Sequence, residues 1–271
     1  MVQSTPTDEQ FVAEAVKIVD GAKNANIPLR IMAGCGVRVH CPGHVELHQR
    51  KMQRNLRDID FVTLHECRDP LRASLMQLGY SPDLVKFEMD RDIYDDKAKG
   101  IVIDIFYDRL NMCHSIDFVG RLENDFPTVT LADLVLQKLQ IIEINERDAK
   151  DIIVLFLEHE VGDKDRETIN GKYIANLLSN DWGFYYTVTE NIKKCNNLAL
   201  KYSMLSQEEL QLFKARTQQL LSEIETAPKS FKWRMRQKVG KRAIWYNEVE
   251  EKERGALAEY LINKEKAKQI Q

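Results

Sequence analysis

The chain has 271 residues, of which 44% are hydrophobic and 30% are charged, so it can form one large or two ordinary domains with a substantial core. Its 39 basic and 42 acidic residues nearly balance, so overall charge does not indicate nucleic-acid or membrane binding. No apolar run reaches the length of about 18 residues that a membrane span needs. The first residues lack the pattern of a signal peptide, and the number of cysteines is odd, so we expect reduced thiols in a cytoplasmic protein.

The first 40 residues predict a helix, a short strand and a second helix that begins at glycines. Thr7 is a typical N-cap for a helix over Asp8–Asn24, where apolar residues recur at helical spacing. The segment Leu29–Ala33 is short and mostly apolar, which favours a buried strand. Gly34 follows directly, so backbone N–H groups at the start of the next helix could form a phosphate cradle. The alternative is that the glycines only allow the strand and the helix to pack closely.

The polar stretch around this turn contains side chains of the types that bind zinc. They are Cys35, Cys41, His44 and His48. The spacing of the two histidines is one that zinc sites use, but no Cys-x2-Cys pair accompanies it. Ordinary loop residues are therefore the default interpretation, and a zinc site is the alternative.

The segment Arg54–Leu64 has two aspartates at the head of an apolar, β-branched run. Side chains two residues apart in a strand point to the same side, so Asp58 and Asp60 share one face. Two buried like charges repel each other and need a cation nearby. Mg²⁺ is the simplest candidate, because proteins hold it through one or two carboxylates together with substrate phosphates. The alternative is a strand end whose carboxylates lie in water.

A helix and two strands are predicted next. The pair Asp69-Pro70 opens a helix with Pro70 at its first position, and Gly79 ends it. A strand is predicted over Val85–Met89. The segment Gly100–Tyr107 predicts a stronger strand, because most of its residues are β-branched or aromatic.

Asp104 lies in the middle of this stronger strand, where an unpaired carboxylate is destabilising. If the strand lies beside the one with Asp58 and Asp60, three carboxylates converge on one site. The alternative is a strand at the edge of the sheet with Asp104 in contact with solvent.

Two later helices carry cations. Thr130 is the expected N-cap of a helix over residues 131–139, in which Lys138 lies on the apolar stripe and either reaches solvent or points into a cleft. A helix from Glu146 carries Arg147 and Lys150 about one turn apart on a shared face. Ordinary ion pairing on a helix surface is the alternative for this pair.

From about residue 165 onward we expect helices and no strands, with helical patterns over 165–179, 187–203, 206–225 and 248–268. The chain is therefore predicted to divide into domains 1–161 and 162–271, the second of them helical. Residues 229–242 include seven basic side chains, no acidic ones and interleaved aromatic residues. Such a segment, extended to 246, could contact RNA by pairing with phosphates and stacking on bases. The alternatives are a solvated cationic helix face and a contact with an acidic surface of the other domain.

These residues together resemble the nucleotidyltransferase superfamily, whose fold is that of polymerase beta and the aminoglycoside nucleotidyltransferases. The resemblance rests on the glycine turn after a strand, on Arg54-x3-Asp58-x-Asp60, and on the isolated Asp104 of a later strand. It covers roughly residues 27–157.

Within the superfamily the chain is most similar to the AbiEii-type nucleotidyltransferases, which include toxins of toxin–antitoxin systems. Lys138-Leu139, followed by Arg147 and Lys150-Asp151, is similar to the Lys-Leu helix and the basic-Asp motif of that family. One departure is that Ala33-Gly34 stands where the family has Gly-Gly or Gly-Ser.

The resemblance implies an α+β fold in which a polymerase-beta-like nucleotidyltransferase domain with a small mixed sheet precedes a helical C-terminal domain. It also implies transfer of a nucleoside monophosphate from an NTP to an acceptor hydroxyl of tRNA, a protein or a small molecule, in the cytoplasm. An antitoxin is the further partner that a toxin would have. A non-catalytic protein of the same fold, which binds a nucleotide or a partner, is the alternative.

The resemblance also implies roles for individual residues. A two-metal Mg²⁺ site would use Asp58, Asp60 and Asp104. The triphosphate would contact the turn at Ala33 and Gly34 and the cations of Arg54, Lys138, Arg147 and Lys150.

Overall fold

The computed structural model describes residues 6–83 and 90–249, and its centre is a five-stranded mixed sheet. The strands are β1 (Arg30–Met32), β2 (Ile59–Thr63), β3 (Ser81–Pro82), β4 (Arg91–Asp96) and β5 (Ile101–Tyr107). Their order across the sheet is β1-β2-β5-β4-β3. Strands β2 and β5 are parallel, and the other neighbouring pairs are antiparallel. The predicted small mixed sheet is therefore confirmed.

Helices and two short ribbons make up most of the remaining described chain. The helices are α1 (Asp8–Asn24), α2 (Ala33–His40), α3 (Arg68–Gln77), α4 (Leu131–Leu139), α5 (Glu146–Glu158), α6 (Gly171–Leu178), α7 (Trp182–Ala199), α8 (Gln207–Thr226) and α9 (Phe231–Val239). The ribbons pair β6 (Arg109–Asn111) with β7 (Ser115–Asp117), and β8 (Val161–Gly162) with β9 (Ile169–Asn170).

The two faces of the sheet belong to different hydrophobic cores. Phe61 and Ile105 on one face pack with residues of α1 and α3. Val62 and Phe106 on the other face belong to a core that includes α4 and α5. Because side chains alternate along a strand, Asp60 lies on the same face as Val62. The sheet therefore directs this carboxylate toward the side that α4 and α5 cover.

Helix ends with clear local signals lie where the sequence predicts them. Helix α1 spans Asp8–Asn24, and Thr7 forms a capping box with Gln10. Thr130 caps α4 by accepting a hydrogen bond from the Asp133 N–H. Helix α3, by contrast, begins at Arg68, so the prediction that Pro70 is its first residue is wrong. Proline is tolerated there because backbone N–H groups of the first helical turn have no intrahelical partner.

The second half of the chain is helical, with one correction. Residues 165–168 are not helical, and Ile169–Asn170 form the short strand β9 beside β8, contrary to the expectation of no strands. The Asn170 side chain accepts a hydrogen bond from Tyr173 N–H, and this cap starts α6 at Gly171. The strand predicted at Val85–Met89 lies outside the described residues, as does nearly all of the helix predicted over 248–268.

The core that contains α4 and α5 extends across the predicted domain boundary at residue 161. Phe156 of α5 and Phe213 of α8 form an edge-to-face aromatic pair with centroids 6.0 Å apart. Arg216 donates hydrogen bonds to the carbonyl groups of Phe156 and Leu157, each at 2.9 Å. Within the described ranges, no helix has both the length and the apolar character needed to cross a membrane. The five cysteines all lie in these ranges, and none forms a disulfide.

Candidate active site

Three aspartates meet on one wall of a cleft at the centre of the molecule. In the parallel pairing of β2 with β5, Asp60 lies directly opposite Asp104. Asp58 precedes Asp60 by two residues, and all three line a cavity of about 370 Å³. Asp104 is buried and the other two are half-buried. The sequence predicted that the three carboxylates converge if their two strands are neighbours. The strands are neighbours, and the carboxylates line the same cavity.

The surroundings of Asp60 oppose its ionised form. Burial raises the pKa of Asp60 well above its ordinary value, and the charges of Asp58 and Asp104 raise it further. Lys138 and Arg91 act in the opposite direction. A carboxyl group in this setting gains from any additional cation that enters the cleft.

Arg91 is a member of the site that the sequence did not reveal. Its Nε donates a hydrogen bond of 2.7 Å to Asp104 Oδ1, and its Nη2 donates to Asp104 Oδ2. In the antiparallel register of β4 and β5, Ile93 lies opposite Asp104. Arg91, two residues before Ile93, is the diagonal neighbour of Asp104. Only this register brings the two side chains together, so no motif in the sequence could have indicated it.

The turn after β1 lies against the carboxylates and is tightly packed. Ala33 and Gly34 both line the cleft. Ala33 has a positive φ of 49°, which is uncommon for a residue other than glycine. A Cβ atom at Gly34 would lie 2.7 Å from Arg54 Nη2. The short distance supports the interpretation that Gly34 allows close packing. The backbone of Gly34 nevertheless lines the cleft.

Two of the predicted cations line the cleft and are held by a buried ionic network. Lys138 Nζ lies 2.8 Å from Asp148 Oδ1 and 2.9 Å from Asp151 Oδ2. Arg54 Nη2 donates to Asp151 Oδ2 at 2.9 Å, and His48 Nε2 donates to Asp151 Oδ1 at 2.9 Å. Lys138 therefore does not reach out to bulk solvent. Asp151 restrains both cations at the edge of the site.

Arg147 adds a third cation to the cleft wall. Its Nη2 donates to the Asn55 carbonyl at 3.2 Å. Burial lowers the pKa of the Arg147 guanidinium, and the like charges of Arg54 and Arg57 lower it further. These three arginines all line the cleft, so the region beside Asp58 is rich in positive charge and suited to a polyanion.

Lys150 is the one predicted phosphate-contacting residue that does not line the cleft. Its amine pairs with Glu146 Oε1 at 3.0 Å and lies 5.8 Å from the centre of the Tyr202 ring. This geometry matches the alternative of ion pairing along the helix surface. Arg147 and Lys150 are one turn apart, but only Arg147 faces the cavity.

Among the residues that the structure describes, no three His, Cys, Asp or Glu side chains are already placed close enough together to bind a metal ion. The zinc set is dispersed: Cys35 Sγ donates to the Asp58 carbonyl, His48 pairs with Asp151 and His44 pairs with Glu158. Of the three aspartates, Asp104 pairs with Arg91. Carboxylate oxygens are the ligand type that Mg²⁺ prefers, and burial together with the charges of Asp58 and Asp104 raises the pKa of Asp60, so a divalent metal at this wall would offset the repulsion.

The basic segment 229–246 packs its two tryptophans against the rest of the chain and leaves Phe231 exposed. Trp233 is 5% exposed and packs edge-on against Tyr185. Trp245 packs against Tyr186, and its indole N–H donates to Thr187 Oγ1 at 3.2 Å. Five of the basic side chains are exposed: Lys232, Arg234, Lys238, Lys241 and Arg242. The two tryptophans are therefore held by structural contacts, whereas the cations and the Phe231 ring, which is 72% exposed, remain accessible.

Comparison with known proteins adds two distant structural likenesses. No family model and no curated protein sequence matches the chain. The antibiotic-resistance factor ANT(2'')-Ia is 12% identical with a TM-score of 0.37, and the match covers 85% of this chain and 94% of that one. An antigenic nucleotidyltransferase-like protein from Paracoccidioides brasiliensis is 14% identical with a TM-score of 0.38, over 84% of this chain and 97% of that one. Scores this low assign neither fold nor activity, so the functional argument rests on the geometry of the cleft.

Proposed function

We propose that the chain is a metal-dependent nucleotidyltransferase that moves a nucleoside monophosphate from an NTP to an acceptor hydroxyl and releases pyrophosphate. The observation that carries this proposal is the position of Asp60 opposite Asp104, with Asp58 beside them, in a cleft that also contains arginines and a lysine. Carboxylates that hold a metal and cations that hold phosphates are the parts that phosphoryl-type transfer requires.

Each part of the cleft has a role in this proposal. Asp58 and Asp60 would hold Mg²⁺, and Asp104 would complete a second metal position; bound Mg²⁺ supplies charge neutralisation at the reacting phosphate. Arg54, Lys138 and Arg147 offset the charge of the triphosphate. The backbone at Gly34 receives the terminal phosphates. Asp104 is the carboxylate assigned to take the proton of the acceptor hydroxyl, and Arg91 keeps it oriented.

Turnover of the two metal-site variants tests the proposal. We expect Asp58→Ala and Asp60→Ala to abolish pyrophosphate release when the protein is incubated with each labelled NTP, Mg²⁺ and a cell extract. The exposed Asp20→Ala serves as the control and should retain the wild-type rate. The fraction of the extract that becomes labelled identifies the acceptor class. Full activity of both site variants would refute the mechanism.

A non-catalytic, nucleotide-binding or partner-binding protein of the same fold is the second candidate. It is favoured by the two hydrogen bonds that engage Asp104 with Arg91, and by Ala33, which offers no side-chain donor at the turn. Such a protein would bind Mg-NTP in calorimetry without releasing pyrophosphate in the presence of any acceptor fraction.

The finer assignments rest on the sequence alone. The AbiEii branch and a toxin role with an antitoxin partner come from the resemblance, the cytoplasmic location from the cysteines and the first residues, and RNA contact from the basic segment 229–246. RNA contact predicts that affinity for tRNA falls steeply with salt. Lys232→Glu combined with Lys238→Glu, two exposed positions on α9, should weaken that binding more than Lys51→Glu on the distant first half of the chain. Binding that is absent or insensitive to salt would dismiss it.

A further inference from the structure

Gln137 of α4 is a cleft residue with an unsatisfied donor. Its side chain is 4% exposed and lines the cavity next to Lys138. Its Oε1 accepts a hydrogen bond of 3.0 Å from the Ala33 N–H. Its Nε2 has no hydrogen-bond partner among the residues that the structure describes. Buried polar groups are rarely left without a partner, so this amide nitrogen calls for an explanation.

The orientation of the amide group is determined by its neighbour. The Ala33 N–H can only donate, so the carboxamide atom that faces it must be the oxygen. A flipped amide would set two donors against each other and lose the hydrogen bond from Ala33, a residue with positive φ. The –NH₂ group is therefore the part of the side chain that is left buried without an acceptor among the described residues.

The surroundings of Gln137 indicate the chemistry of that acceptor. Ala33, Gly34 and Lys138 line the same cavity as Gln137. The Ala33 side chain has no hydroxyl, so the turn itself presents only backbone N–H groups. An anionic oxygen placed between the turn and Lys138 would satisfy the amide nitrogen and gain from the positive charge.

We propose that Gln137 is a substrate-binding residue whose Nε2 donates a hydrogen bond to a phosphate oxygen of the triphosphate, while its Oε1 holds the Ala33 turn. This inference rests on the proposed function, since it names a contact within the same cleft. It assigns to α4 two adjacent phosphate contacts, one from Gln137 and one from Lys138.

Gln137→Glu separates the two functions of the side chain. A glutamate keeps the oxygen that accepts from Ala33 but replaces the donor with a second, negatively charged oxygen. Gln140→Glu is the matched control, because Gln140 is the C-cap residue of the same helix, lines the same cavity and accepts a hydrogen bond of 2.9 Å from the His114 N–H. Both changes add one negative charge to the cleft wall, so only a specific contact distinguishes them.

Calorimetric titration with inorganic tripolyphosphate, with and without Mg²⁺, measures the contact independently of the base and the acceptor. We expect Gln137→Glu to weaken binding at least about tenfold and Gln140→Glu to weaken it less than about threefold. Should Gln137→Glu lose cooperative thermal unfolding, Gln137→Met replaces it and Gln140→Met becomes the control. Each methionine lacks the amide donor, the amide oxygen and any charge, and the same difference in affinity between the two positions is expected.

The outcomes separate the inference from the proposed function. Wild-type affinity in the Gln137 variant, or equal weakening in both variants, overturns the assignment of Gln137 and leaves the proposed function standing. Failure of the wild-type protein to bind tripolyphosphate under either condition overturns the proposed function as well.

Discussion

At the scale of single residues, Asp60 is held in a setting that opposes its ionised form. Its pKa is raised well above the ordinary value by burial, and then by Asp58 and Asp104. A group whose pKa is higher in the folded than in the unfolded state contributes stability below its unfolded pKa. That contribution is lost as the pH rises through the folded pKa. Without a divalent metal, the cluster of three aspartates therefore costs stability once Asp60 is ionised.

Asp60→Asn is expected to stabilise the metal-free protein at neutral pH by roughly 1 kcal/mol, because it removes one charge from a cluster of three. The gain should be absent near pH 4 and grow as the pH rises through the folded pKa of Asp60. Thermal unfolding in EDTA across this range measures it. Asp20→Asn, an exposed site on α1, is the control and should show no such trend. A variant that is less stable than wild type at pH 8 would contradict the electrostatic account.

Asp151 presents the opposite case, since its ionised form is the stable one. Burial raises its pKa, but Lys138, Arg54 and His48 together hold the pKa well below the ordinary value. A depressed pKa contributes stability above the unfolded pKa, and this contribution is lost as the pH falls through the folded value. Lys138 and Arg54 therefore keep their positions at the edge of the cleft only while Asp151 is ionised.

Asp151→Asn is expected to cost about 3–5 kcal/mol between pH 6 and 8, because it leaves buried cations partly uncompensated. The deficit should narrow below about pH 4, where the unfolded wild-type chain gains a proton at this position. Urea unfolding at several pH values measures both effects. The matched control is Asp163→Asn, whose carboxylate pairs with Lys172 at 3.0 Å on the surface and which should unfold as wild type does. Equal effects of the two variants would show that the buried network does not hold the cleft edge.

At the scale of elements, the approach of α2 to α4 depends on a glycine. A Cβ atom at Gly36 would lie 2.9 Å from Leu134 Cδ2 and 3.4 Å from the Ile31 carbonyl oxygen. The two helices carry the turn and the Gln137–Lys138 pair, so their spacing sets the width of the cleft between those groups.

Gly36→Ala is expected to destabilise the protein by about 1 kcal/mol or more, because the overpacking of Leu134 exceeds the gain in helix propensity. Gly21→Ala in α1 is the control: nothing lies within 4 Å of its added Cβ, so it should stabilise by up to about 1 kcal/mol. Chemical denaturation of the two variants compares them directly. Two changes of the same sign and size would mean that the packing of α2 on α4 is not tight.

Elements with local signals were predictable from the sequence, and contacts that depend on register were not. The caps of α1 and α4 and the strand with Asp104 follow from residues within a few positions of each other. The contact of Asp104 with Arg91 needs the register of two antiparallel strands, and the contact of Gln137 with Ala33 joins residues 104 apart in the chain. The helical pattern predicted a helix from residue 165, but α6 begins at Gly171, because the side chain of Asn170 caps the helix there.

At the scale of the whole molecule, the core beneath the cleft draws on both predicted domains. Helix α8 lies against α5 through the Phe156–Phe213 pair and the Arg216 hydrogen bonds, and β9 pairs with β8 across the predicted boundary. Asn191 of α7 also donates to the carbonyl groups of Leu139 and Ile141, where α4 ends beside the cleft. The second half therefore supports the elements that carry the cations of the cleft.

A fragment of residues 1–161 is consequently expected to lose the ordered cleft, because the faces of α4 and α5 that α7 and α8 cover would be exposed to water. We expect the fragment to unfold without a cooperative transition and to bind a hydrophobic dye, whereas the full chain unfolds cooperatively. Co-expression of 1–161 with 162–271 as separate chains is the control, since complementation should restore the transition if the shared core is the cause. A cooperative, dye-free fragment 1–161 would instead establish the boundary at 161 as one between independently folding domains.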